Sequence, residues 1–332
     1  MATQSWAPNT LTMAALLTVL TSSLGLLTTA SKTDGKYLYN SATVPFFAEV
    51  LKLVLSWHFL QEQRRKDPIA ARCTMSWRHL ALFPVPSLIY MVHNNLQFYF
   101  LKYVDPATYQ ILGNLKILST GALLQLCLNR RLSLLQWIAL GLLTAGAATS
   151  QINTDCSAET VMQAPLMGYL LGALSALLSG VAAVYTEWVM KSNQDSLYWQ
   201  NMQLYGFGVL FNGGAMIFKG GGLSLLLRPA ALLRGYDGVT WLVVANLAFS
   251  GLAVSWVMKY ADSIVKVYAT SLAMLLTTVV AIFSFGLHPT LQLGLGILIA
   301  SASVVIYYVP LDRLASTDFL RAHSPRTAAL PK

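Results

Sequence analysis

The stretch LMGYLLGALSALLSGVAAVYTEWVM, residues 166–190, decides the fold class of this chain. It contains one charged residue, Glu187, and it is longer than the roughly 20 apolar residues that cross a bilayer as an α-helix. In hydrocarbon, every backbone N–H and C=O group must find a partner within the protein, and a helix provides those partners within one segment. The stretch therefore predicts a membrane-spanning helix.

The same stretch carries a small residue at every fourth position, namely Gly168, Gly172, Ala176 and Gly180. Small residues on one helix face let a neighbouring helix approach closely. We interpret this stripe as a packing surface and not as a site of chemistry.

The composition of the whole chain agrees with a membrane protein. Of its 332 residues, 55% are hydrophobic and only 11% are charged, whereas a soluble chain has about 25% charged residues. The net charge of +9 comes from basic residues that lie mostly between the apolar runs. Loops at a membrane face explain that placement better than a nucleic-acid surface does, so we expect no nucleic-acid partner.

Apolar runs long enough to cross a membrane occur ten times. The chain is predicted to be an all-α polytopic membrane protein, with residues 1–310 as a single membrane domain and 311–332 as a disordered cytosolic tail. The predicted spans are 11–30, 42–60, 80–101, 106–127, 134–152, 166–190, 199–218, 239–258, 263–283 and 290–309.

The loop charges predict the orientation of these spans. An even number of spans puts both termini on one side, where the loops and the tail hold 14 lysines and arginines against 6 on the opposite side. Because cytosolic loops carry an excess of these residues, both termini are predicted to be cytosolic.

A short repeat divides the chain into halves. Lys102-Tyr-Val-Asp105 precedes span four, and Lys259-Tyr-Ala-Asp262 precedes span nine. Both copies enter the fourth span of a five-span half, about 11–152 and 166–309. Because five is odd, the second half is predicted to be inverted relative to the first, an architecture common in secondary transporters.

Three lysines are predicted to lie within spans, and two of them, Lys116 and Lys266, have no acidic neighbour at helical spacing within their span. A charge at the centre of a membrane helix costs about 2.5–3.5 kcal/mol on insertion scales, so it needs a reason. Lys116 lies in the middle of span four, where we favour a functional cation facing a cavity over a structural ion pair. Lys266 lies a few residues into span nine, and it is either an interfacial anchor or a second site residue.

The acidic residues of the spans have basic neighbours at helical spacing. Glu49 and Lys52 share a helix face, which favours an internal ion pair, and Glu187 with Lys191 is typical of an interfacial pair. A proton-coupling role for either glutamate is the alternative.

Neutral polar side chains cluster in three spans. They offer hydrogen-bond donors and acceptors with aromatic faces, a mixture that suits a nucleobase and ribose, while lysines suit a phosphate. Hydrogen bonding between helices is the alternative for some of them. The cluster comprises His93, Asn94, Asn95 and Gln97 in span three, Tyr109, Gln110 and Asn114 in span four, and Asn201, Gln203 and Tyr205 in span seven.

Enzyme signatures are missing from the sequence. It contains no HExxH, GxSxG or GxxxxGK motif, and its three cysteines form no CxxC pair. A membrane transferase would need an acidic metal-binding motif for its phosphate leaving group. We therefore expect neither an enzyme nor a cofactor or metal site.

Several segments together carry a resemblance to a known family. They are Val85–Tyr90, His93–Asn95, Tyr109-Gln-Ile-Leu-Gly-Asn-Leu-Lys116, Leu134–Trp137, Val184–Glu187, Tyr198-Trp-Gln-Asn201, Asn201–Tyr205 and Lys259–Lys266. These segments resemble the nucleotide-sugar transporters of the drug/metabolite transporter superfamily, and most of all the CMP-sialic acid transporter group. The segments 109–116 and 198–201 look most similar to its plant members.

The resemblance implies ten helices in inverted halves, a Golgi location and exchange of a CMP-sugar for CMP. It implies that Lys116 and Lys266 bind the phosphate. It also implies that Asn94, Asn95, Tyr109 and Tyr205 line the pocket, to which the residue pattern adds Gln110 and Gln203. The expected partners are a nucleotide sugar, a nucleotide monophosphate and the lipid bilayer, with a homodimer left open. A UDP-sugar transporter of the same fold and a drug exporter of the superfamily are the alternatives.

Overall fold

The structure, a computed structural model, describes residues 8–33, 37–40, 42–100, 103–104, 106–151, 165–220, 232–285 and 290–308. All the helices and strands found within these ranges are α-helices, which confirms the all-α prediction. In chain order they are α1 (Pro8–Ala30), α2 (Thr43–Lys66), α3 (Trp77–Leu80), α4 (Pro84–Phe100), α5 (Pro106–Gly113), α6 (Lys116–Cys127), α7 (Leu134–Thr149), α8 (Leu166–Lys191), α9 (Leu197–Gly220), α10 (Gly238–Tyr260), α11 (Ser263–Phe285) and α12 (Leu291–Tyr308).

Each predicted span coincides with a helix, except that span four falls on α5 and α6. Six of the described helices (α1, α2, α8, α10, α11 and α12) contain a segment long and apolar enough to cross a membrane, and shorter apolar helical segments lie over 111–127 and 134–149. The chain is therefore a multi-pass membrane protein. The expected tail, 311–332, lies outside the described residues.

Helix α2 continues beyond the predicted end of its span, from residue 60 to Lys66. The added turn is rich in residues that favour helices, and Lys66 and Glu62 form an ion pair of 2.6 Å at i,i+4 spacing. Three basic residues in the last turn also complement the negative end of the helix dipole. A polar turn can thus extend a membrane helix into water.

Helix α10 begins where a side chain caps it. The carboxylate of Asp237 accepts hydrogen bonds from the backbone N–H and the hydroxyl of Thr240, at 2.7 and 2.6 Å. The hydroxyl bond and then the backbone bond lower the pKa of Asp237 below its ordinary value. The end of this helix is therefore fixed locally, by its own first turn.

Span four is interrupted between Gly113 and Lys116. Asn114 and Leu115 donate their backbone N–H groups to the carbonyls of Ile111 and Leu112, at 3.2 and 3.1 Å. This three-residue spacing is that of a 3₁₀ turn, which is tighter than an α-helix and often marks a functional position within a helix. The break makes α6 a separate helix whose first residue is Lys116.

The small-residue stripe of α8 packs as predicted. A Cβ atom added at Gly180 would lie 2.9 Å from the Ser119 hydroxyl oxygen, and one at Gly172 would lie 2.9 Å from the ring of Phe100. These distances leave no room for a side chain. The prediction that a neighbouring helix approaches this face closely is confirmed.

The longest helix contacts join helices that are distant in sequence. Helix α7 packs along α12, and α2 packs along α9. Helix α1 packs against α10 and α11, while α8 packs against α4 and α6. At the contact of α7 with α12, a Cβ atom at Gly146 would lie 2.9 Å from the Gly296 carbonyl oxygen, so the two backbones touch directly.

Candidate functional site

Lys116 is the first residue of α6, directly after the break in span four. Its side chain is partly buried, and no carboxylate of the described residues forms an ion pair with it. A helix N-terminus carries partial positive charge, which adds to that of the ammonium group. Both charges favour an anion at this point of the cavity.

Lys266 lies near the start of α11. Its ammonium group donates a hydrogen bond of 3.2 Å to the Tyr90 hydroxyl and lies 5.7 Å from the centre of that ring. Within the described part of the chain, it too has no carboxylate partner. Each half of the sequence therefore contributes one lysine that has no carboxylate partner among the described residues.

A cavity of about 200 Å³ begins at the break in span four. Phe100 and Met274 supply part of its apolar wall. His93 reaches it from α4 and shares a hydrogen bond of 3.2 Å with the Ser175 hydroxyl. The polar side chains that line the cavity are His93, Tyr109, Asn114, Lys116, Ser175 and Ser179.

Comparison with known proteins identifies the protein family. The sequence profile of the nucleotide-sugar transporters matches residues 9–308. The chain belongs to the nucleotide-sugar transporter family. The transporter is 53% identical over 303 residues to "CMP-sialic acid transporter 1" of Arabidopsis thaliana, covering 90% of this chain and 89% of that protein. It is 52% identical over 307 residues to the protein of the same name from Oryza sativa subsp. japonica, covering 91% and 95%.

A solved crystal structure shares the fold. The match covers 93% of this transporter and 99% of the other chain, with a TM-score of 0.67 and 16% sequence identity. The relatives are named transporters and the family transports nucleotide sugars, so the prediction that this chain is not an enzyme is confirmed. Among the described residues of the transporter, no group of three His, Cys, Asp or Glu side chains could hold a metal ion.

The predicted site residues of the transporter fall into three groups. Tyr109 and Lys116 line the cavity, and Lys266 lies on α11, where it donates a hydrogen bond to the Tyr90 hydroxyl. The backbones of Asn94, Asn95 and Gln110 are helical, but their side chains lie outside the described residues. Gln203 and Tyr205 lie on α9 and do not line this cavity.

Tyr205 lies in a second polar cluster of the transporter. Its buried hydroxyl donates to the Gly251 carbonyl oxygen at 3.0 Å, and the Lys52 ammonium lies 4.4 Å from its ring centre. Lys52 is paired with Glu49 at 2.5 Å, which confirms the expected internal ion pair. A Cβ atom at Gly208 would lie 2.5 Å from Glu49, so this glycine makes room for the pair.

The start of α11 is fastened by two carboxylates. Glu187 accepts hydrogen bonds from the backbone N–H and hydroxyl of Ser263 at 2.7 and 2.6 Å, and it forms the predicted pair with Lys191 at 2.7 Å. Asp262 accepts from the Val265 N–H at 2.9 Å. These bonds hold the first turn of the helix that carries Lys266.

Asp262 also joins distant parts of the chain. It forms an ion pair of 2.7 Å with Arg130, which lies in the connection between α6 and α7. The contact ties the start of α11 to the first half of the sequence. The opposite charges were visible in the sequence, but nothing in their spacing indicated that they meet.

Sequence reasoning missed two cavity residues, Ser175 and Ser179. Each directly precedes a member of the small-residue stripe, Ala176 or Gly180, on α8. Their spacing of four places both hydroxyls on one helix face, beside the face that packs. The spacing of four could have indicated a polar face beside the stripe, but we interpreted the four-residue spacing on this helix as a packing surface alone.

Proposed function

We propose that this nucleotide-sugar transporter exchanges a CMP-sugar for CMP across the Golgi membrane by alternating access. One observation carries the proposal: Lys116 lines a cavity between the helices, and neither Lys116 nor Lys266 has a carboxylate partner among the described residues. Two such cations in a membrane interior require an anion, and the phosphate of a nucleotide supplies it.

The names of the relatives support cytosine as the base. The curated relatives cited above are called CMP-sialic acid transporters, and they cover about nine tenths of the chain. In the proposed complex, Lys116 and Lys266 bind the phosphate. Asn94, Asn95, Tyr109, Gln110, Gln203 and Tyr205 recognise the remainder, with Tyr205 acting through the Glu49–Lys52 pair that it contacts.

The helix contacts support ten spans arranged as two inverted five-helix halves. If α5 and α6 together count as span four, α7 and α12 are the fifth spans of the two halves, and α2 and α9 are the second spans. The first spans of the two halves, α1 and α8, also correspond. Helix α1 packs on α10 and α11, the third and fourth spans of the second half, and α8 packs on α4 and α6, which belong to the third and fourth spans of the first half. Two equivalent halves around a central substrate site produce such a pattern.

The loop charges support the orientation, with both termini in the cytosol. We place the single membrane domain at 1–310 and assign 311–332 to a cytosolic tail. A homodimer is compatible with this arrangement, and the transport cycle proposed here does not depend on it.

Electrostatics explains why exchange is coupled. When the cavity is empty, closing it around two ammonium groups brings like charges together in a medium of low dielectric constant, which is unfavourable. A bound phosphate neutralises them, so the loaded transporter changes its orientation faster than the empty one. No proton or sodium site is needed for this coupling.

Proteoliposomes test the proposal. Vesicles preloaded with CMP should take up labelled CMP at least tenfold faster than empty vesicles, because only the loaded transporter returns quickly. In Lys266→Ala, the affinity for CMP should fall and uptake into empty vesicles should rise relative to exchange. Lys66→Ala, which removes an exposed lysine, is the matched control and should behave like the unmodified protein.

Equal uptake into empty and preloaded vesicles would refute obligate exchange. Preloading with UMP or GMP in place of CMP identifies the base. A faster exchange with UMP than with CMP would replace the CMP-sugar by a UDP-sugar as the substrate.

A further inference from the structure

Asn114 carries a side-chain amide nitrogen that has no partner among the described residues. The residue is only 4% exposed, and this nitrogen is buried. The Asn114 side chain lies at the break in span four, yet no side-chain hydrogen bond caps the start of α6. Buried amides in proteins are nearly always paired, so an unpaired one at a cavity calls for a partner that arrives from outside.

The space beside Asn114 is suited to a ligand. Gly113, the preceding residue, has no atom within 4 Å of the position that a Cβ would take. The cavity that both residues line has a volume of about 200 Å³. Sites for whole small molecules have volumes of roughly 300–1,000 Å³, so this cavity holds one part of a larger substrate.

The lining indicates which part enters. Besides Asn114, the residues that line it include Ser175 and Ser179, which carry hydroxyls, and His93, which carries an imidazole. The ring of Tyr109 already packs against Phe100, with centres 4.8 Å apart, so one of its faces is occupied. Amides and hydroxyls both donate and accept hydrogen bonds, which matches a group rich in hydroxyls better than a flat base.

We propose that Asn114 is a specificity-determining residue that hydrogen-bonds the sugar moiety of the nucleotide sugar. The inference rests on the proposed function, in which Lys116, two residues further along the chain, binds the phosphate. The sugar then occupies the cavity on the Lys116 side, and the nucleoside lies on the other side of the phosphate. Asn114 thereby distinguishes the nucleotide sugar from the nucleotide monophosphate that returns.

Binding to the purified full-length protein in detergent tests this assignment with CMP-sialic acid and CMP as the two probes. Asn114→Leu should weaken the binding of CMP-sialic acid about tenfold and change that of CMP by less than about twofold. The melting temperature without ligand should stay the same or rise, because an unpaired buried amide is replaced by an apolar side chain.

Asn246→Leu is the matched control. The Asn246 amide is paired, since it donates to the Ser23 hydroxyl oxygen at 2.6 Å, and it does not line the cavity. This variant should lower the melting temperature and leave the ratio of the two affinities unchanged. The contrast between the two asparagines separates recognition from structural support.

The inference is overturned if Asn114→Leu weakens both ligands equally, because the contact is then with the nucleotide. It is also overturned if neither affinity changes, or if the variant behaves like Asn246→Leu. Binding of neither ligand to the unmodified protein would refute the proposed function, and the inference with it. If UMP proves the better exchange substrate, UDP-galactose and UMP replace the two probes.

Discussion

The two helices that present the lysines start in different ways. At the start of α11, the Glu187 carboxylate binds the Ser263 N–H, and the Asp262 carboxylate binds the Val265 N–H. At the start of α6, no side-chain hydrogen bond forms the cap. Because a helix N-terminus attracts anions, the start of α11 is occupied by the protein's own carboxylates. At the start of α6 a backbone carbonyl serves instead, since Asn114 C=O accepts a hydrogen bond of 3.0 Å from the Ile117 N–H.

The two lysines also differ in how far each lies from the start of its predicted span. Lys266 lies about one turn after Asp262, beside the charged network at the end of its span. Lys116 follows Asp105 by about three turns and a break, so it lies deep within the membrane domain. The matching tetrapeptides before the two spans therefore do not make the lysines equivalent. Lys116 combines a cation with an uncapped helix start, and Lys266 supplies a cation alone.

Removing each lysine should give the largest difference. We expect Lys116→Ala to weaken CMP binding roughly 100-fold, because a charge-assisted contact is lost at an uncapped helix start. Lys266→Ala should weaken it roughly 10-fold. Titration calorimetry on the purified variants measures both affinities, and Lys116→Arg should also impair transport because a planar guanidinium does not replace a compact ammonium.

Equal losses of CMP affinity for Lys116→Ala and Lys266→Ala would show that the carboxylates at the start of α11 do not make the two lysines differ. A larger loss for Lys266→Ala would reverse the comparison.

Removing the charge of Asp262, which binds the first turn of α11, should have an intermediate effect on CMP binding. Asp262 is buried and paired with the partly exposed Arg130, so Asp262→Asn should lower the stability by about 1–3 kcal/mol. It should weaken CMP binding no more than about fivefold, because it acts through the position of Lys266. In a Lys266→Ala background, the further effect on binding should vanish. An undiminished effect there would mean that Asp262 acts on the substrate by another route.

An exposed ion pair should give the smallest effect. Lys66 and Glu62 at the end of α2 have side chains that are 74% and 47% exposed. Pairs of this kind are screened by water and contribute little, so Lys66→Ala should leave the CMP affinity and the melting temperature unchanged. A measurable loss of CMP affinity would show that the charge of an exposed lysine at the end of α2 also affects the binding site.

The helices could be predicted from the sequence because hydrocarbon imposes a length and a composition on each span. The break after Gly113 could not, since the apolar run continues across it and a single glycine weakens a helix only slightly. The capping of α11 by Glu187 was also hidden. Lys191 offered this glutamate a local partner at i+4, while the partner of its second oxygen lies in another helix.

The site could be predicted in part. Lys116 and Tyr109 line the cavity as expected. They could be singled out because a charged or polar side chain in the middle of a membrane span is unfavourable unless it has a partner or a function. That Tyr205 lines the substrate pocket stays a prediction; its hydroxyl donates to the Gly251 carbonyl and the Ser255 hydroxyl on α10, contacts that the sequence did not indicate. Such contacts depend on how distant helices pack, and a single sequence does not encode them in any local pattern.

The backbone contact between α7 and α12 sets a limit on motion. Where side chains separate two helices, a change of rotamer lets one helix slide along the other. At Gly146 and Gly296 no side chain is present, and a Cβ atom at Gly296 would lie 2.6 Å from the Gly146 carbonyl oxygen. Because the two backbones touch here, α7 and α12 should move as one unit in the proposed transport cycle, and the rearrangement that exposes the cavity to either side should come from the surrounding helices.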